Sequence, residues 1–296
     1  MGDAERIAWL SIPGPSTPQD RGTRVSCERR PAAAPGQAFR WEVAVGIDLS
    51  GRGVIVPGGN SGIGLGIARG VARAGASVAL WSRRAERNAE AVAELDGLGA
   101  TAAGVRCDVS EQDDVAAAMR QTLDRFGRLD CLVANAGTAG QQPFTDMSLQ
   151  EWHRVLRVNL DGAFLCLREA ARVLVRQGQG GSLVGVSSTS AIDGAPGQQH
   201  YAASKTALLA VMRGLAVELA RHQVRCNSLL PGWTDTELLA EAKTREKFVT
   251  ATIGRTPVRR WATPHDFETV GAFLADPSLI FHTGDSMVVD GGYTIF

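Results

Sequence analysis

The side chains best suited to acid–base chemistry are Ser188, Tyr201 and Lys205. Tyr201 and Lys205 are four residues apart in a segment whose apolar residues recur every three or four positions, which places both on one face of a predicted helix. A phenol with a pKa of about 10 exchanges protons poorly at neutral pH. A nearby ammonium group would favour the phenolate, so we expect Lys205 to lower the pKa of Tyr201.

Ser188 follows a predicted strand over Ser182–Val186, at a point where a loop would direct its hydroxyl towards the phenol. The three side chains would then hold a carbonyl or carbinol oxygen and transfer a proton to or from it. A tyrosine and a lysine at this spacing also occur by chance as a solvated pair in many helices. Only the rest of the chain distinguishes the two interpretations.

The composition argues against several classes of function. The chain has 296 residues, of which 44% are hydrophobic and 21% charged, and its 31 basic residues balance 31 acidic ones. These values are ordinary for a globular protein. Because no basic block and no interleaved basic and aromatic run occurs, we expect neither nucleic acid nor a membrane surface as a partner.

Cysteine usage and the absence of long apolar runs predict a reduced, cytoplasmic protein. Neither a disulfide framework nor a metal site is predicted, because the cysteines are odd in number and lack Cys-x-x-Cys spacing. We expect several of them to be small buried residues. No apolar run reaches about 18 residues, and the N-terminus lacks the features of a secretory signal. The five cysteines are Cys27, Cys107, Cys131, Cys166 and Cys226.

Residues 1–45 differ in composition from residues 46–296. They hold five prolines and mixed charges without sustained periodicity, which predicts a disordered extension. An upstream start codon, with the natural protein beginning near Val45, is an equal alternative. A transit peptide is less favoured, because acidic residues are atypical of such segments.

Residues 46–296 read as one α/β domain in which strands and helices alternate. Continuous apolar strands separated by helices predict a parallel sheet of about seven strands with helices on both faces. The predicted strands are Gly53–Val56, Ser77–Trp81, Ala102–Arg106, Cys131–Ala134, Ser182–Val186, Val224–Leu229 and Ser286–Val289. The predicted helices are Ile63–Ala74, Ala85–Leu98, Glu111–Phe126, Leu149–Arg176 in two parts, the segment that carries Tyr201, and His265–Leu274.

A glycine cluster, Gly58, Gly62 and Gly64, lies between the first strand and the first helix. Glycines there permit a tight turn and allow a pyrophosphate to approach the positive end of the helix. No Gly-Lys-Ser/Thr sequence follows, which excludes a P-loop. The spacing also differs from the commoner G-x-G-x-x-G fingerprint of dinucleotide-binding proteins.

Together with further motifs, this glycine spacing resembles the classical short-chain dehydrogenases/reductases over residues 47–296. The further motifs are Asn135–Gly137, Asn159, Ser188, Tyr201 with Lys205, Pro231–Gly232 and the closing sequence VDGGY. The resemblance implies a doubly wound Rossmann fold and an NAD(P)-dependent enzyme that interconverts a carbonyl and a secondary alcohol. It assigns the catalytic tetrad to Asn159, Ser188, Tyr201 and Lys205, with Asn159 maintaining a water path to Lys205.

The same resemblance predicts the cofactor site. Ser82 stands where an NAD-specific site has an acid, and Arg83 follows it, so NADP(H) is the preferred cofactor and NAD(H) a possible one. Asp108 would contact the adenine, although an Asp before a helix is also an ordinary cap. The residues expected to bind the cofactor are Gly58, Asn60, Ser61, Gly62, Ile63, Gly64, Ser82, Arg83, Asp108, Val109, Asn135, Ala136, Gly137, Tyr201, Lys205, Pro231, Gly232, Thr234 and Thr236.

One position departs from the family pattern, which has Thr where this chain has Pro57. Proline removes a backbone donor, and the hydroxyl that ties the glycine turn to the neighbouring Asn-Ala-Gly segment is missing. We therefore expect the turn to form with a different support.

Three loops are expected to recognise the substrate: Thr138–Phe144, Ile192–Gln199 and Trp233–Arg260, the last a candidate lid with a partly apolar lining. A ketone, a ketose or a 3-oxoacyl thioester fits the family, whose members are often tetramers or dimers. His200 and His153 are expected to have no direct role. The alternatives are an NAD-linked sugar or polyol dehydrogenase, a catalytically silent cofactor-binding regulator, and an epimerase or dehydratase of the extended family.

Overall fold

A computed structural model describes residues 46–296 and contains a seven-stranded parallel sheet in the order β3-β2-β1-β4-β5-β6-β7. The predicted α/β fold with a parallel sheet is confirmed. The strands are β1 (Gly53–Pro57), β2 (Ser77–Ser82), β3 (Ala102–Arg106), β4 (Cys131–Ala134), β5 (Gly181–Val186), β6 (Val224–Pro231) and β7 (Ser286–Val289). The extension predicted over residues 1–45 lies outside the described residues and stays a prediction.

Helices connect the strands and cover both faces of the sheet. They are α1 (Gly62–Arg73), α2 (Ala85–Gly97), α3 (Gln112–Phe126), α4 (Leu149–Leu156), α5 (Gly162–Gln177), α6 (Gln199–Leu219), α7 (Ala240–Lys243), α8 (Glu246–Arg255) and α9 (Glu268–Ala275). The helix predicted in two parts over Leu149–Arg176 is α4 and α5, joined by a π-helical segment, Arg157–Asp161. A 3-10 turn begun by a capping box at Thr263 leads into α9.

The alternating side chains of β1 show how the sheet divides the core. Val54 and Val56 lie in the apolar layer formed with α1, α2 and α9, whereas Ile55 lies in the layer formed with α3, α5 and α6. All three are 0% exposed. Because both faces of the strand are covered, its sequence is continuously apolar rather than alternating.

The strand order reverses between β1 and β4, since the chain runs outwards from β1 to β3 and then returns to β4. In open parallel sheets, a crevice forms at such a switch point, outside the carboxyl ends of the strands. The fold therefore places the glycine turn after β1 and the Asn-Ala-Gly segment after β4 on either side of one cleft.

The cysteines of the described residues lie in the core, as predicted. Cys107, Cys131, Cys166 and Cys226 are buried, and burial raises the pKa of each thiol. Within residues 46–296, no helix is long and apolar enough to cross a membrane. In the same range, no group of three His, Cys, Asp or Glu side chains is arranged to hold a metal ion.

Candidate active site

A cavity of ≈ 360 Å³ opens at the switch point between β1 and β4. The structure brings every residue predicted to bind the cofactor to its wall. These are Gly58, Asn60, Ser61, Gly62, Ile63, Gly64, Ser82, Arg83, Asp108, Val109, Asn135, Ala136, Gly137, Tyr201, Lys205, Pro231, Gly232, Thr234 and Thr236. Ser188 lies on the same wall, so three of the four predicted catalytic residues share the cavity with the glycine turn.

The glycine turn suits a dinucleotide. Gly58 and Gly62 have φ angles of 69° and 54°, which side chains other than glycine adopt only with strain. The N-cap Ser61 makes no side-chain cap hydrogen bond, and no acidic residue lies in the first turn of α1. The positive end of this helix is thus open to the cavity and fits a pyrophosphate.

The turn at Pro57 is supported by Asn135. Its side-chain amide donates to the carbonyls of Pro57 and Gly58, at 3.1 Å each. A Cβ at Gly64 would lie 2.4 Å from the same amide nitrogen, so only glycine lets α1 approach this closely. The turn is tied to the segment after β4 without a hydroxyl at position 57, which confirms the prediction of a different support.

Two hydrogen bonds hold the middle of the predicted catalytic helix, α6, against the end of β5. Lys205 Nζ donates to the Val186 carbonyl at 2.8 Å, and Ser187 Oγ donates to the Lys205 carbonyl at 2.8 Å. Lys205 is 4% exposed, and its Nζ lies 5.8 Å from the centre of the Tyr201 ring. The ammonium and the phenol therefore lie on one helix face beside Ser188, as the spacing predicts.

The pKa shifts differ from the expectation. Burial raises the pKa of Tyr201, while the adjacent Ser188 hydroxyl acts in the opposite direction. Burial also lowers the pKa of Lys205 to about 8. The expectation that Lys205 lowers the pKa of Tyr201 is therefore wrong. The reason is that desolvation disfavours both charges, and Lys205 loses its proton before the phenol would ionise.

Asn159 lies behind the cavity wall, in the π-helical segment between α4 and α5. It is 1% exposed, and its Oδ1 accepts from the Thr138 backbone N–H at 2.8 Å. Its Nδ2 donates to the Thr138 carbonyl at 2.9 Å and to Ser204 Oγ at 3.1 Å. Because these bonds join the loop after β4 to α6, Asn159 fixes the geometry around Lys205. The water path remains a prediction.

At the opposite end of the cavity, Ser82 belongs to a polar network. Its hydroxyl donates to Asn88 Oδ1 at 2.7 Å and accepts from Asn60 Nδ2 at 2.6 Å. The Arg84 backbone N–H also donates to this hydroxyl, at 3.1 Å. The network holds the end of β2 and the start of α2 against the glycine turn.

The arginines beside Ser82 are paired with acids. Arg83 Nη1 lies 3.8 Å from Asp108 Oδ2. Arg84 Nη1 and Arg87 Nη2 lie 3.2 Å and 3.0 Å from the two carboxylate oxygens of Glu237. No sequence pattern indicates this bridge, because Glu237 follows β6 and is 153 residues from Arg84.

The three predicted substrate loops meet around the reactive end of the cavity. Gln142 N donates to the Gly197 carbonyl at 2.9 Å, and Arg245 Nη1 donates to Gln141 Oε1 at 3.1 Å. Within the candidate lid, Trp233, Leu238 and Leu239 line the cavity. Phe248 instead packs edge-on against Trp233, with ring centres 5.0 Å apart. The lining is partly apolar, as predicted.

His200 is fully buried and does not line the cavity. Its Nε2 lies 3.2 Å from Glu151 Oε1, and Glu151 in turn accepts from Arg154. The bonds from Arg154 hold the pKa of Glu151 down at about 2. Arg154 also donates to the Ala139 carbonyl at 2.9 Å. This cluster, which no sequence motif indicates, stabilises the loop after β4.

Comparison with known proteins identifies the family of the chain. A family model described as enoyl-(acyl carrier protein) reductase matches residues 58–294. The chain is 38% identical over 249 residues to L-rhamnose 1-dehydrogenase (NAD(P)(+)) of Sphingomonas sp. (strain SKA58), which covers 82% of this chain and 96% of that protein. It is 34% identical over 248 residues to 3-oxoacyl-(acyl-carrier-protein) reductase FabG of Chlamydia pneumoniae. This match covers 84% of this chain and 99% of that protein.

A solved structure gives the same result. Gluconate 5-dehydrogenase from Burkholderia cenocepacia J2315, in complex with NADP and tartrate, matches with a TM-score of 0.80 and 32% identity, over 84% of this chain and 98% of that one. The similarity thus extends over nearly the whole length of each relative, and the range that the family model matches contains the residues that line the cavity. The protein is an NAD(P)-dependent oxidoreductase that interconverts carbonyls and alcohols, and the chain belongs to the short-chain dehydrogenase/reductase family.

Proposed function

We propose that the enzyme works as an NADPH-dependent reductase of a ketone, a ketose or a 3-oxoacyl thioester, with Tyr201 as the proton donor. The observation that carries the proposal is the convergence of Ser188, Tyr201 and Lys205 on the cavity that also holds the glycine turn. A phenol whose pKa is raised by burial stays protonated at neutral pH. It therefore holds the proton that reduction requires, and the charge of Lys205 has to offset its weak acidity as the proton leaves.

The residues of the glycine turn and of the cavity wall would hold the cofactor, which would supply the hydride for the new C–H bond. Tyr201 gives its proton to the carbonyl oxygen, which becomes the hydroxyl of a secondary alcohol. Ser188 donates a hydrogen bond to the same oxygen and stabilises the charge that develops on it. Lys205 stabilises the phenolate left on Tyr201, and Asn159 holds the loop and helix on which Lys205 depends.

The relatives suggest the substrate classes. Their names include a rhamnose dehydrogenase, a 3-oxoacyl-(acyl-carrier-protein) reductase and a gluconate dehydrogenase. A screen of NADPH oxidation against ketones, ketoses and 3-oxoacyl thioesters tests the proposal, and we expect turnover with one of these classes. Binding of NADPH without turnover of any of them would contradict it and favour the catalytically silent regulator.

We also propose that NADP(H) is preferred, because Ser82 leaves the ribose without an acid and Arg83 lies beside it on the cavity wall. S82D should move the Kd ratio at least about tenfold towards NAD(H), since a carboxylate accepts from ribose hydroxyls and repels a phosphate. S82N is the matched neutral control. An NADPH preference that survives S82D unchanged would refute the assignment.

The NAD-linked sugar or polyol dehydrogenase remains the alternative, because Arg83 and Arg84 each face a carboxylate. Such pairs reduce the attraction for a 2′-phosphate. Initial rates in both directions with both cofactors separate the two functions. Faster oxidation of sugars or polyols with NAD⁺ than any reduction with NADPH would favour the alternative.

We further propose a homotetramer or homodimer that associates through α5 and α6, as the family resemblance implies. An apolar groove of ≈ 460 Å³ lies between these helices. Phe164 and Val217, on α5 and α6, are 48% and 84% exposed. Light scattering after size exclusion should give two or four times the chain mass, and F164E should lower it. A monomeric wild-type protein would contradict the proposal.

A further inference from the structure

We propose that Glu237 is a specificity-determining residue that weakens the binding of NADP(H) relative to NAD(H) by engaging Arg84 and Arg87. The inference rests on the proposed cofactor site, in which the ribose of the adenosine half lies beside Ser82. It concerns the carboxylate of Glu237, which opposes the binding of a 2′-phosphate at that site.

The position of Glu237 is fixed by the segment after β6. Thr236 lies against the glycine turn, because a Cβ at Gly62 would be 3.1 Å from its methyl carbon. Glu237 comes next and lines the cavity with Arg83 and Arg84. The segment therefore crosses the cleft, and the carboxylate of Glu237 reaches the start of α2 on the other side.

The carboxylate occupies a place suited to a phosphate. Arg84 is the N-cap of α2, and its side chain makes no cap hydrogen bond, although Glu86 lies in the first turn. Arg84 Nη1 and Arg87 Nη2 each approach a different oxygen of Glu237, at 3.2 Å and 3.0 Å. A helix N-terminus and two guanidinium groups favour an anion. Glu237 thus supplies the negative charge that a 2′-phosphate would bring.

The balance of charges at this end of the cleft explains why removal of the negative charge of Glu237 would affect the binding of NADP(H). Among the paired side chains, Arg83, Arg84 and Arg87 face Asp108 and Glu237, which leaves one net positive charge within this set. Without the charge of Glu237, two would remain. A phosphate monoester carries about −1.5 to −2 charges at neutral pH, whereas a ribose hydroxyl carries none. Only NADP(H) must therefore compete with Glu237.

The competition is expected to be moderate, because the groups are partly solvated. Glu237 and Arg84 are 51% and 50% exposed at their side chains, and Arg87 is 46% exposed. Ion pairs at such sites are weak. A 2′-phosphate can displace Glu237 from the arginines but loses part of its attraction in doing so.

The test compares E237Q with E241Q by titrating NADP⁺ and NAD⁺ and measuring each Kd. Glu241 lies on the same segment, is 87% exposed and pairs only locally with Arg245, so E241Q removes the same charge without touching Arg84 or Arg87. We expect E237Q to tighten NADP⁺ binding about two- to fivefold and to leave NAD⁺ within about twofold. E241Q should leave the ratio unchanged.

An unchanged Kd ratio in E237Q overturns the inference, whichever cofactor the wild type prefers. An equal change for both cofactors also overturns it and indicates that Glu237 only holds the segment closed. Tighter NADP⁺ binding in E237Q combined with a wild-type preference for NAD⁺ would support the role of Glu237 and refute the proposed NADP(H) preference. Failure of every variant to bind either cofactor would refute both.

Discussion

The positively charged side chains at the two ends of the cleft differ in burial and in their hydrogen-bond partners. At the reactive end, Lys205 is 4% exposed, donates to a backbone carbonyl and has a pKa lowered to about 8 by burial. At the adenosine end, Arg84 and Arg87 are about half exposed and share the carboxylate of Glu237. The buried charge is held by a rigid helix and strand, whereas the exposed charges can exchange partners. In the proposed function, the chemistry would use fixed, desolvated groups, and the choice of cofactor would depend on exchangeable ones.

Replacement of Lys205 tests the reactive end most strongly. K205M should lower kcat at least about 10²-fold, because the phenolate loses its stabilising charge. The folded protein should nevertheless become more stable. Burial lowers the pKa of Lys205 from 10.5 to about 8, so charging it costs the folded state about 3 kcal/mol below pH 8. Loss of the bond to Val186 offsets part of the gain, which leaves about 1–2 kcal/mol at pH 7.

The stability gain of K205M over the wild type should decrease as the pH rises. As the pH rises from 8 towards 10.5, the folded wild type loses the proton on Lys205 before the unfolded chain does, and the penalty disappears. Urea unfolding at pH 7 and pH 10 should therefore show K205M losing its advantage. K243M is the control, because Lys243 is exposed and pairs with Asp235. A K205M advantage that is constant with pH would contradict the account.

Replacement of Asn159 tests whether the contact between the loop after β4 and α6 depends on the side-chain amide of this residue. N159A leaves the N–H and the carbonyl of Thr138 without their partner and should cost about 2–3 kcal/mol of unfolding free energy. S204A removes only one of the three contacts and should cost less than about 1 kcal/mol. Urea unfolding at pH 7 measures both. Equal stability of N159A and wild type would show that Asn159 is not a structural link.

A change of ionic strength should have the smallest effect of these experiments. It should change cofactor binding at the adenosine end of the cleft more than catalysis at the reactive end. Between about 0.05 and 0.5 M salt, we expect the Kd of NADP⁺ to rise several-fold, because exposed arginines are screened. The Kd of NAD⁺ should change less, and kcat at saturating cofactor should stay nearly constant because Lys205 is buried. Titrations and initial rates over this range provide the measurement. A parallel fall in kcat would show that both ends are solvated alike.

The residues of the cleft were predictable because the motifs that identify them are short and local in the sequence. The glycine spacing after β1 and the four-residue spacing of Tyr201 and Lys205 define turn geometry and a helix face without reference to the rest of the fold. The parallel sheet followed from strands that are apolar on both faces, such as β1. Motif order then assigned residues to one cleft, and the structure places them there.

The electrostatics were not predictable from spacing. The raised pKa of Tyr201 depends on burial by loops that are distant in sequence, and spacing alone indicates only its nearest charged neighbour. The bridge from Glu237 to Arg84 joins residues 153 positions apart. Both depend on how separate βα units pack, which periodicity does not report.

The most direct test of the account is the replacement of the phenol alone. In Y201F, single-turnover oxidation of bound NADPH by the best substrate should slow at least about 10³-fold, because the proton donor is lost while the ring still packs. The Kd of NADPH should stay within about threefold of wild type, since the glycine turn and the adenosine end are untouched. Oxidation within about tenfold of the wild-type rate would mean that the proton comes from another group and would contradict the central role of Tyr201.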